Sequence, residues 1–174
     1  DFDVVGVYII AWVTAFGGGT IRDVILDIQP VYWIDHAEYP FILLLLVIAM
    51  SLIKKIQIQP HWLIIPDAMG MALFAVSTAQ MAHQFGHPAI IVAILSTIVA
   101  SCGGIIRDSL CQEIPMVFKK GSTMYASLAF FGAYLYIGLS DLAVFSDAIN
   151  MVGTAGAIFA SRLLAYKFQW RWKI

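Results

Sequence analysis

The chain has 174 residues, 61% of them hydrophobic and 12% charged, with a mean hydropathy of +0.86. An ordinary soluble domain is about half apolar and about one quarter charged, so this balance excludes one, and the long continuous apolar runs exclude the alternating, roughly 10-residue segments of an outer-membrane barrel. The formal net charge of −1, with basic residues only in short pairs, argues against a nucleic-acid partner.

Asp1-Phe2-Asp3 opens the chain without the basic stretch of a signal peptide. Val4 to Phe16 reads as the first half of a membrane helix, which Gly17-Gly18-Gly19 is predicted to interrupt and Thr20 to Ile28 to resume, ending at Pro30. Val31 to Tyr39 reads as a polar, aromatic loop carrying Asp35, His36 and Glu38. Pro40 to Ile53 is a second span, closed by Lys54 and Lys55. The third runs from about Trp62 to His83, with Pro66-Asp67 near its start. Pro88 opens the fourth at a position where a helix tolerates proline; Gly103-Gly104 is predicted to break it, and it ends near Pro115. After Lys119-Lys120-Gly121 come a fifth span, Ser122 to Leu139, and a sixth, Leu142 to Lys167. Each approaches the roughly 20 apolar residues that a bilayer requires.

Two stretches do not suit a plain span. Gly17-Gly18-Gly19-Thr20-Ile21-Arg22-Asp23 and Cys102-Gly103-Gly104-Ile105-Ile106-Arg107-Asp108 are copies of one device, 85 residues apart, and the same offset carries Pro30 onto Pro115. Each glycine weakens a helix by about 1 kcal/mol relative to alanine, and an arginine or aspartate at membrane depth costs about 2.5–3.5 kcal/mol. A full helix, Trp62 to His83, precedes the second copy, and almost nothing precedes the first. The expectation is an all-α integral membrane domain over 1–174 with a first repeat over 1–56 lacking its first helix, a second over 61–139, and a final helix over 142–167. The parent would be a 3+3 arrangement plus a seventh helix.

Numbering alternate sides along the six spans puts Lys54, Lys55, Lys119, Lys120, Lys167, Arg171 and Lys173 on one side, with Asp35, Glu38 and Asp141 on the other. The positive-inside rule then places the C-terminus in the cytoplasm. The two motif helices lie three spans apart and cross in opposite directions, which makes this an inverted repeat with glycine-broken helices, a pattern common in transporters.

The repeated Gly-Gly-x-Ile-Arg-Asp, with Pro30 and Pro115, Asp67-Ala68-Met69-Gly70, Phe74-Ala75-Val76, Gly153, Gly156 and Arg162-Leu163-Leu164-Ala165, resembles the prokaryotic trimeric intracellular cation (TRIC) channel family. The same sequence domain carries the labels glycine transporter and UPF0126. Cys102 stands where the family pattern has a third glycine. The resemblance implies seven transmembrane helices, a homotrimer in the inner membrane, and one pore per protomer lined by the two glycine-motif helices, passing K+ or Na+. It implies no cofactor beyond the permeant ion and bound lipid. The gating-lysine signature of the animal members is not evident, so their voltage and calcium regulation is not implied.

The candidate site is therefore Gly17, Gly18, Gly19, Thr20, Gly103 and Gly104 for the pore and its kinks, and Arg22, Asp23, Arg107, Asp108, Asp67 and Asp147 for ion pairing or gating. Each assignment has a rival. Glycines that bare carbonyls to a water-filled path also serve close helix packing. The arginines act as a gate or as an internal lock, with Asp67 and Asp147 as neutralising candidates beside Asp23 and Asp108. Asp67 touches ions or caps a helix N-terminus. Thr14, Thr20, Ser96, Thr97 and Ser101 line the path or bond their own helix carbonyls. Small residues at Gly153, Gly156, Ala157, Ala160 and Ser161 suit tight packing within or between protomers. No nucleophile–base pair, phosphate loop or metal-ligand spacing is present, so neither an enzyme nor a metal site is expected, and a passive channel stands against a carrier of a small substrate such as glycine.

Overall fold

The computed structural model describes residues 3–53, 63–119, 123–143 and 145–170. Lys54, Lys55, Lys120, Arg171 and Lys173, which carry much of the expected charge asymmetry, lie outside these, as does Trp62, the expected start of the third span. Seven α-helices occur among the described residues: α1 (Val4–Ile25), α2 (Tyr32–Asp35), α3 (Glu38–Leu52), α4 (Ile64–Gln84), α5 (Ala89–Leu110), α6 (Ala126–Asp141) and α7 (Asp147–Lys167). Six fall where the six spans are expected. α1, α4, α5 and α7 are long and apolar enough to cross a membrane. α3 and α6, at 15 and 16 residues, are shorter than a full crossing requires. The stretch expected as the loop Val31 to Tyr39 holds the four-residue α2 and the first turn of α3.

The glycine runs do not interrupt their helices. α1 is helical through Gly17–Gly19 and α5 through Gly103–Gly104. Glycine keeps its backbone N–H and helical geometry, and its weakness in a helix is outweighed where the missing Cβ admits a neighbour. A Cβ on Gly18 would stand 2.5 Å from the Val99 carbonyl oxygen, and one on Gly103 would stand 2.8 Å from that of Thr14. The two approaches are the same contact twice, since the 85-residue offset carries Thr14 onto Val99 as it carries Gly18 onto Gly103. Residue numbers rise along α1 as they fall along α5, so the helices cross antiparallel about a local pseudo-two-fold axis.

Both helices end alike. Asp27 and Gln112 have positive φ (54° and 58°), Ile28 N–H donates to Asp23 O (2.8 Å), and Glu113 N–H donates to Asp108 O (2.8 Å). These are Schellman closures, which satisfy carbonyls that the helix end leaves free. α4 packs beside the crossing, and α6 and α7 close the far side around Met71, Val76, Val92, Val99, Tyr136 and Ile158. Along α7 the buried residues are Asn150, Thr154, Ile158, Arg162 and Ala165, close to the four-residue spacing of one helix face.

Candidate functional site: two cavities across a helix crossing

The crossing of α1 and α5 separates two cavities. The larger, about 580 Å³, takes its walls from Ile10, Thr14, Asp67, Phe74, Gly103, Gly104, Arg107, Cys111 and Tyr125 among others. The smaller, about 390 Å³, is lined by Phe16, Gly19, Thr20, Arg22, Asp23, Tyr32, Trp33 and Tyr39, with Ala15 and Phe74 shared with the first. Arg107 and Asp67 line the larger cavity, and Arg22 and Asp23 the smaller. Because α1 and α5 are antiparallel, their C-terminal arginines fall on opposite sides, each four residues and so about 6 Å along its helix from the crossing glycine.

The Arg-Asp pairs are built alike. Arg22 reaches Asp23 Oδ1 through Nε (2.8 Å) and Nη2 (2.7 Å). Arg107 Nε donates to Asp108 Oδ1 (2.8 Å). The second oxygen of each carboxylate accepts a backbone N–H from beyond the proline: Tyr32 to Asp23 (3.0 Å) and Met116 to Asp108 (3.1 Å). Arginine, carboxylate and chain reversal thus form one brace at the end of each crossing helix. Asp23 is fully buried, which such pairing makes tolerable.

The third contact differs between the two. Arg22 Nη1 reaches Ser77 Oγ (3.5 Å), whereas Arg107 Nη1 reaches Asp67 Oδ1 (3.5 Å). Asp67 lies in the first turn of α4, but the residue before that helix is Leu63, which makes no side-chain cap bond. The capping role expected for Asp67 is not taken, because its carboxylate is drawn across to Arg107. The Asp67 side chain is 7% exposed, and Oδ2 has no hydrogen-bond partner. Asp147 does not join either arginine. It begins α7 on the exterior, where its carboxylate accepts from Gln84 Nε2 (3.5 Å).

α4 therefore enters the site as a third wall. Asp67, Gly70 and Phe74 share one face, with Ser77 one turn further on. The hydroxyls follow the bland expectation in part: Thr14, Thr20, Thr97 and Ser101 donate to carbonyls four residues back, at 2.7–2.8 Å. Thr14 and Thr20 nevertheless line the cavities, and Thr20 Oγ1 also accepts from Trp33 Nε1 (3.1 Å). Between α2 and α3, Tyr32 OH donates to Tyr39 OH (3.5 Å), and this bond is the chief cause raising the Tyr32 phenol above its usual range.

Arg162 on α7, fully buried, has a part that its place in a row of small residues does not suggest. Its Nη1 donates to Thr123 Oγ1 (2.6 Å), Thr123 O (3.3 Å) and Met124 O (2.8 Å). Its guanidinium lies 4.8 Å from the centre of the Tyr125 ring. It thereby fixes the segment that places Tyr125 in the wall of the larger cavity. Besides the resemblance, the rule that an intramembrane arginine is expensive points to it in the sequence. Phe74 is flagged only by the resemblance, and Tyr125 carries no signal, since aromatic residues are common in apolar runs.

A family profile described as Glycine transporter matches residues 1–55 and 64–141. The UPF0126 membrane protein YvgT of Bacillus subtilis is 32% identical over 173 residues, spanning 98% of this chain and 83% of that protein. The UPF0126 inner membrane protein YadS of Escherichia coli is 28% identical, spanning 99% and 82%. Among solved structures, the TRIC trimeric intracellular cation channel orthologue from Rhodobacter sphaeroides matches with TM-score 0.85 at 30% identity, over 96% of this chain and 85% of that one. A second structure, described for conductance through TRIC cation channels, matches with the same TM-score and identity over 99% and 86%.

Proposed function

The chain belongs to the glycine-transporter family of UPF0126 membrane proteins, and on that footing we propose that it is a homotrimeric, potassium-permeable monovalent cation channel with one path through each protomer. The observation that carries this reading is the pair of cavities either side of the α1/α5 crossing, each lined by a braced arginine, Arg107 or Arg22, and both bounded by Ala15 and Phe74. A path of this shape is an hourglass. Gly103 and Gly104 in the larger chamber and Gly19 in the smaller present backbone rather than side chain to it. The likeness to TRIC cation channels at TM-score 0.85 supports the ion as the cargo.

In this mechanism the braces cancel the arginine charges that would repel a cation. Asp67 adds carboxylate charge to the larger cavity, while the carboxylates of Asp23 and Asp108 are already shared with backbone amides. The protomer sits in the inner membrane with its C-terminus in the cytoplasm. Gly153, Gly156, Ala157 and Ala160 form an exposed stripe on α7, and no atom approaches within 4 Å of where a Cβ on either glycine would lie, which suits contact between protomers.

A second reading is favoured by the family description itself: a carrier of a small substrate such as glycine, bound between the two arginines. Planar-bilayer recording of the purified protein in a potassium gradient, with and without glycine, separates the two. Discrete unitary currents that reverse near the potassium potential and ignore glycine establish the channel. Silence in the bilayer, with saturable glycine uptake into liposomes, establishes the carrier.

A further inference from the structure

We infer that the Phe74 ring, set against Ala15 of α1, is the seal between the two cavities and the residue that determines what passes from one to the other. The inference rests on the two cavities being one permeation path. Of all the residues lining them, Phe74 and Ala15 alone belong to both. Ala15 has only a methyl group, so the bulk at the divide is the Phe74 ring. That ring lies over Gly19, its Cε1 3.6 Å from where a Gly19 Cβ would stand. That is ordinary van der Waals distance, so the ring packs directly on the helix surface that Gly19 leaves without a side chain.

The polar groups of the path sit on either side of the ring. Asp67 lies seven residues before Phe74 on α4, about 10 Å along the helix, and Ser77 lies about 4.5 Å beyond it. A short apolar constriction between chambers that each carry a few charged groups excludes water and with it a hydrated cation. Polar groups at the waist itself would stay wet and would not close.

Cys111 provides a sided probe, because it lines the larger cavity. It follows the C-terminus of α5, on the opposite side of the crossing from Tyr32. In a Cys102→Ser background, sealed membrane vesicles of each orientation are treated with a small cationic, membrane-impermeant methanethiosulfonate. With Phe74 intact, Cys111 reacts from its own face and slowly from the Tyr32 face. Phe74→Ala is expected to speed reaction from the Tyr32 face about tenfold or more, as removal of a dewetted constriction does, leaving the rate from the Cys111 face unchanged. Phe74→Leu, which keeps an apolar side chain and is the safer variant for folding, is expected to give an intermediate rate.

Equal labelling from both faces with Phe74 intact overturns the inference, and so do rates from the Tyr32 face that neither variant changes. The readout does not require a current. If the intact protein gives no unitary current yet the variants open the Tyr32 face, the seal stands and the channel reading falls. If it conducts and the variants change no labelling rate, the channel stands and the seal falls.

Discussion

Three buried or nearly buried charges separate the structural part of the site from the part proposed to meet ions. Asp23 has both oxygens committed, to Arg22 and to Tyr32 N–H, and no exposure. Asp23→Asn leaves a buried arginine without its counter-charge, at a cost of about 3–5 kcal/mol; loss of folded protein after detergent extraction is the expected outcome. Arg162→Leu abandons Thr123 Oγ1 and two carbonyls, and losing charged hydrogen bonds of about 1.5–3 kcal/mol each lowers thermal stability. Arg162→Lys is expected to recover only part of it, because one ammonium does not reproduce the guanidinium fork. Asp67→Asn should behave otherwise, since Oδ2 has no partner to lose and the Arg107 contact is long, at 3.5 Å. The expected result is a folded protein whose potassium current falls several-fold, as removing a carboxylate from an ion path does. An unchanged current in Asp67→Asn would assign this residue to the frame.

At the scale of the helix, the glycines divide by what stands opposite them. Gly18→Ala drives a methyl onto the Val99 carbonyl, a backbone atom that yields only if the helices part. Overpacking of this kind costs about 1–3 kcal/mol. Gly104→Ala meets nothing nearer than 3.7 Å, from Arg107 and Asp67, so the fold should hold while the cavity narrows. Thermal unfolding should therefore fall for Gly18→Ala and stay level for Gly104→Ala, and unitary conductance should fall for Gly104→Ala. The reverse pattern would mean that the crossing tolerates strain and that the glycines serve flexibility. The position of the spans was legible from apolar length, and the repeat from the 85-residue offset. That the helices run unbroken through their glycines was not legible, because the compensation comes from the other helix. Thr14 and Val99 are ordinary residues until the fold sets their carbonyls against Gly103 and Gly18. Asp67 was legible as a candidate counter-charge to the arginines, but its position after Pro66 equally resembles a cap, and only the approach of α5 decides for Arg107.

Over the whole molecule, the pseudo-two-fold relation of α1 and α5 does not extend to what surrounds them. Arg107 faces a carboxylate on α4 where Arg22 faces a hydroxyl, so the two mouths of the path differ in charge. The exterior is unequal too. α7 buries one face, through Thr154, Ile158 and Arg162, and leaves Gly153, Gly156, Ala157 and Ala160 outside. Small residues on an outward face let another helix approach closely, and van der Waals packing of that kind drives association in lipid, where apolar bulk alone gives no advantage. Gly156→Leu is expected to leave the protomer's own fold intact, because no neighbouring element lies within 4 Å of the new Cβ, and to convert the proposed trimer to monomers. Native mass spectrometry of the detergent-solubilised protein reads this directly. A trimer that survives Gly156→Leu would move the interface to another face of the protomer, whereas monomers that keep their melting temperature would place it on α7.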